Sequence, residues 1–187
     1  MDANTLWVSK AHAEFRKLRN GEVADNLRAQ GIEYKTIWGL ESYRLKEISA
    51  IFLADETLSV EVRRSLADVL WHEDVRESKM LATRLYPTDR MDESLANEWA
   101  SAIQYTELAD QACMNLFARL PFAAILANAW AEDKASAMKR YMAMQLALRL
   151  ELTELEGKAS AIAQDAGNPF WLRSAALQVV QLGTNEG

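Results

Sequence analysis

The chain has one cysteine, three prolines, seven glycines and two histidines among 187 residues. Each scarcity excludes something. A lone cysteine, Cys113, cannot close an internal disulfide, which fits a reducing compartment. Two histidines, His12 and His72, exclude a multi-histidine metal site, and no cofactor or metal is expected. Few prolines and glycines leave little material for long loops. There is no Gly-rich phosphate loop and no readable Ser-His-Asp constellation. No uncharged run reaches the ~18 residues of a membrane span. The opening "MDANTLWVSKAHAEF" contains acids and lacks the apolar block of a signal peptide. A cytoplasmic protein is expected, with no membrane partner.

What is abundant points to helices. Half of the chain is hydrophobic, and Ala, Leu, Glu, Arg and Met recur with almost no strict apolar/polar alternation. Helical periods run nearly end to end. Trp7, Ala11, Phe15 and Leu18 mark a first helix, with "NG" at 20–21 as its stop. Later segments carry Leu45/Ile48/Phe52, then Val62/Leu66/Val69/Leu70 after a Ser59 cap, then Val75/Ala82/Leu85 stopped by Pro87. Asp92 and Thr106 open two more helices. A long helix is predicted over Lys134–Glu151, with Tyr141, Met144 and Leu148 inward, and a last one over Pro169–Leu182. Trp71, Leu81, Leu116 and Phe117 are predicted to be buried in one continuous core.

Six tryptophans at 7, 38, 71, 99, 130 and 171 are spaced by 31, 33, 28, 31 and 41 residues, close to the period of a helical-hairpin repeat. The fold expected is therefore all-α: an α-solenoid, a right-handed superhelix of about eleven helices in one domain over 1–187, with a concave binding surface.

The net charge of −6 and a pI near 5.1 argue against a protein that coats nucleic acid electrostatically. The charge is uneven. Residues 51–100 hold 6 basic and 11 acidic residues, whereas 101–150 hold 5 and 4. The acids and His72 of "WHEDVRE" are read as a charged helix start rather than a metal site. Cys113 lies on the apolar stripe Leu108/Ala109/Ala112/Cys113/Leu116 and is read as core. Asp110 shares that helix but points about 200° away from Leu108. It is either a helix-terminal acid beside the Thr106 cap or a carboxylate facing a ligand.

Three blocks, "YKTIWGLESYRLKEIS" (34–49), "LADVLWHEDVRESKMLATRLYP" (66–87) and "WASAIQYTELADQACMNLFARLPF" (99–122), resemble together the HEAT-like DNA alkylation repair proteins. That family contains alkylpurine DNA glycosylases and non-catalytic relatives. The resemblance covers about residues 30–150, fades towards 182, and looks closest to a short bacterial branch. It implies an α-solenoid of helix pairs that binds double-stranded DNA in a concave groove. In catalytic members a carboxylate stabilises the cationic sugar while the bond to an alkylated purine breaks. The resemblance puts that aspartate on Asp110, on the concave face, and a groove arginine on Arg140, with Lys139 beside it. The family's tryptophan four residues before the aspartate is Thr106 here, with Tyr105 adjacent. Trp171 is the aromatic nearest to a second groove tryptophan. The alternative is a non-catalytic solenoid that binds DNA or a protein partner.

Overall fold

The structure, a computed structural model, describes residues 3–184. Among these residues there are eleven α-helices, three short 3-10 turns and no sheet. The fold is all-α, as the unbroken helical periods require. No helix among the described residues is long and apolar enough to cross a membrane. The helices group into two compact units, Met1–Arg90 and Met91–Gly187.

The first unit holds α1 (Ala3–Lys17), α2 (Gly21–Ala29), α3 (Ser42–Ala54), α4 (Val60–His72) and α5 (Arg76–Leu85). Its core combines Trp7, Ala11 and Phe15 of α1 with Leu45, Ile48 and Phe52 of α3. Leu66, Leu70, Trp71 and Leu81 from α4 and α5 complete it. Trp7 and Phe52 meet with ring centroids 5.5 Å apart.

Local signals explain most boundaries. Ser59 Oγ accepts the Val62 N–H, and Gly31, at φ +82°, ends the α2 segment. Asn20 corrects the reading of "NG" as a stop. Its side chain accepts the Val23 N–H, so it caps the start of α2. Val69 is also corrected: it is 40% exposed, and α4 buries Ala67 and Trp71 instead.

The larger correction is in "WHEDVRE". The helix starts at Arg76, after Glu73–Val75 have turned the corner. Glu77 is then completely buried. Its carboxylate accepts backbone N–H bonds from Trp38 (2.9 Å), Gly39 (2.9 Å) and Leu40 (3.2 Å). Arg76 donates to the same carboxylate at 2.7 Å and to the Leu40 carbonyl at 3.0 Å. A charged pair thus ties the 36–40 connector to α5, and the Thr36–Val75 bridge continues the join.

Gly39 is part of that join. Its φ is +77°, and a Cβ there would lie 2.0 Å from the Asn20 carbonyl oxygen. Gly39→Ala is therefore expected to destabilise the protein by about 2 kcal/mol, through strain and steric clash together. Urea unfolding should read this as a lower midpoint at unchanged slope.

The second unit holds α6 (Glu93–Ala102), α7 (Thr106–Asn115), α8 (Ala123–Ala131), α9 (Ala137–Leu150), α10 (Glu156–Gln164) and α11 (Phe170–Thr184). The pairs α8/α9 and α10/α11 pack as hairpins, and α9 also packs against α7 and α11. That central position explains why α9 buries Tyr141, Met142, Ala143, Met144, Leu146 and Ala147 on several faces. Ser136 caps it through the Lys139 N–H, so the helix starts later than Lys134. Phe117 sits edge-on against Trp130 at 5.2 Å, and Trp130 donates to Asn97 at 2.7 Å. The predicted core residues Trp71, Leu81, Leu116 and Phe117 are all buried in their own units.

Candidate functional site

The site forms on α7, α9 and α11 of the second unit. The apolar stripe Leu108, Ala109, Ala112 and Cys113 turns one side of α7 inward. Asp110 lies off that stripe, as its angle predicts, but it is not solvated at a helix end. Tyr105 occupies the N-cap position, so Asp110 is beyond the first turn, and the acid placed for the helix dipole is Glu107. Asp110 is half-buried and hydrogen-bonded. Tyr141 of α9 donates its hydroxyl to Asp110 Oδ1 at 2.9 Å.

Tyr141 is itself buried, and its ring meets Trp171 of α11 edge to face at 5.4 Å. A buried tyrosine carries a hydroxyl that needs a partner, and α9 lies between α7 and α11, so Tyr141 reaches both. The result is a chain across three helices: Asp110, Tyr141, Trp171.

Burial raises the Asp110 carboxyl above the ordinary aspartate range. The Tyr141 hydrogen bond and the charge of Arg149 oppose that rise, and Glu107 adds to it. Burial also raises the Tyr141 hydroxyl, and the Asp110 charge adds to it, so Tyr141 remains a donor. Cys113, next to this cluster, is fully buried; burial holds its thiol far from ionisation, and it donates to the Met142 carbonyl. It is core.

The cation acting on Asp110 is Arg149, a residue the sequence did not single out. Arg140 and Arg149 are nine residues apart on α9, which at roughly 100° per residue puts them about 180° apart around the helix. Arg140 instead lines a cavity of about 490 Å³ with Glu132, Lys134, Lys158 and Asp165. Its Nε is buried without a hydrogen-bond partner. Lys139 is mostly buried and pairs with Asp133 at 3.6 Å. Tyr105 is half-buried at the start of α7. Of the five residues anticipated, the contacts therefore join Asp110 to Trp171. Arg140 and Lys139 have other surroundings.

The Tyr141–Asp110 contact, which the sequence did not single out, had one usable signal. A tyrosine in a helix buried on several faces must find an acceptor, and an acid off the apolar stripe of a neighbouring helix is a candidate.

Chemically, a half-buried carboxylate with one oxygen held by a phenol suits a developing positive charge. No curated protein and no solved structure matches the chain. A family model for DNA alkylation repair enzymes matches residues 11–177, which takes in both segments of the Glu77 join, α7, α9 and the first half of α11 with Trp171. The chain belongs to the DNA alkylation repair enzyme family.

Proposed function

We propose that the protein binds double-stranded DNA along the face of the second unit that carries Asp110, and hydrolyses the N-glycosidic bond of alkylated purines there. The observation that carries the reading is the Asp110 carboxylate itself. It is partly withdrawn from water and anchored through one oxygen by Tyr141, whose ring meets Trp171.

The reaction starts from a purine made cationic by alkylation at N3 or N7. The bond to C1′ breaks and its electron pair neutralises the base. Positive charge then develops on the sugar, where a nearby carboxylate stabilises it by more than it stabilises the ground state. Water adds to C1′ and loses a proton, which the carboxylate is placed to accept. The products are the free neutral base and an abasic site. Arg149 supports the binding half of the reading, as an exposed cation on α9 whose charge acts on Asp110 and which suits a backbone phosphate.

One departure favours a non-catalytic, DNA-binding relative as the second reading. Thr106 stands where the resemblance expects a tryptophan, so the aromatic wall beside Asp110 has to come from α9 and α11.

A binding titration tests the DNA half. Duplexes with and without an alkylpurine should bind with affinity that falls as salt rises from 50 to 200 mM. Arg149→Gln should weaken binding to both duplexes alike and lower the slope of log K against log salt by about one. Binding insensitive to salt, or unaffected by this substitution, contradicts the assignment.

A further inference from the structure

Asp110 has two oxygens, and the structure treats them differently. Oδ1 accepts the Tyr141 hydroxyl at 2.9 Å. The phenol ring is in turn braced edge-on by Trp171, and Tyr141 is 8% exposed, so its hydroxyl has little freedom to swing away. The bonded contact engages Oδ1 and leaves Oδ2 outside that hydrogen bond.

We propose that Tyr141 is the positioning residue of this site. It holds Asp110 through Oδ1, presents Oδ2 to the sugar, and keeps the carboxylate ionised in a partly dry setting. This rests on the glycosylase reading above, but the hydrogen bond and its effect on Asp110 can be measured without any activity.

Two effects compete at Asp110. Burial disfavours the charged carboxylate, and the Tyr141 hydrogen bond favours it. Only the ionised form can stabilise a cationic sugar. An Asp110 without the phenol would be protonated over a wider range and free to rotate about its last torsion.

The test uses two changes at one position in the full chain. Tyr141→Phe keeps the ring against Trp171 and removes only the donor. Site-specific 3-fluorotyrosine at 141 keeps the hydroxyl and makes it a stronger donor. Carboxyl 13C NMR of Asp110 is recorded across pH for each, with single-turnover base release from alkylated duplex DNA alongside. The Asp110 titration should move to higher pH in Tyr141→Phe and to lower pH with fluorotyrosine. Base release by Tyr141→Phe should fall about ten-fold at pH 6 and by less, about three-fold, at pH 8.5. A purely structural role would lower the rate equally at both pH values and leave the titration in place. An unmoved titration in both proteins overturns the proposal. Titrations that move in opposite directions in a protein that releases no base keep the Tyr141–Asp110 coupling and reject the glycosylase reading instead.

Discussion

Replacing Asp110 by asparagine is expected to reduce alkylpurine release by at least about a hundred-fold while leaving DNA affinity unchanged. Removing a single group that stabilises developing charge costs on the order of 10²–10³ in the chemical step. The amide is nearly isosteric, and its oxygen can still accept the Tyr141 hydroxyl, so the geometry on α7 and α9 should survive. The loss should therefore appear in the single-turnover rate and not in the binding constant.

The same substitution also changes stability in a pH-dependent way. The Asp110 carboxyl is raised in the folded protein, first by burial, so the folded state holds its proton more tightly than the unfolded chain does. That contribution favours the fold at acid pH and is lost as pH rises through the raised folded value. At neutral pH the ionised Asp110 is thus a net cost. Asp110→Asn should melt at the same temperature as the wild type or higher at pH 7, and any advantage should shrink as the pH is lowered towards 4. A marked destabilisation at pH 7 would mean that the carboxylate serves the fold and not the chemistry.

The second large effect belongs to the first unit. Glu77→Ala is expected to destabilise the protein by about 3–5 kcal/mol, the usual cost of removing one partner from a buried ion pair. Arg76 would be left charged in a fully buried place, and the N–H groups of Trp38, Gly39 and Leu40 would lose their acceptor together. Glu77→Gln should recover only part of this. Its single carbonyl oxygen can serve Gly39 and Leu40, but its amide N–H₂ then faces the Trp38 N–H, donor against donor. Chemical denaturation of the three proteins checks the order wild type, Gln, Ala. Equal stability of all three would mean the connector is held by other contacts.

These two sites show what the sequence could carry. The stripe on α7 was legible because apolar side chains repeat at the helical period, and it correctly turned Asp110 off the core. The caps at Ser59 and Asp92 were legible because each precedes an apolar-periodic run and accepts an N–H three residues on. Asn20–Gly21 was read the wrong way round because asparagine serves both as a turn residue and as an N-cap. Glu77 looked like an ordinary solvated acid. Its partners are backbone N–H groups 37 to 39 residues earlier, and backbone donors leave no mark on side-chain pattern.

Arg149 was not singled out in the sequence for a related reason. On a helix packed against α7, α8 and α11 the apolar pattern spreads around the axis, so periodicity no longer says which face an arginine takes. Tyr141 was legible as buried, but the destination of its hydroxyl depended on how α7 and α9 pack, 31 residues apart.

The most direct test of the account is to incubate the wild-type protein, in excess, with duplex DNA carrying N3- and N7-alkylpurines and to measure the free base by chromatography. The account predicts release of the alkylated base with an abasic site left behind, at a rate that Asp110→Asn lowers at least about a hundred-fold. Undetectable release across several alkylpurine lesions, by protein that is folded and bound to the DNA, would contradict it.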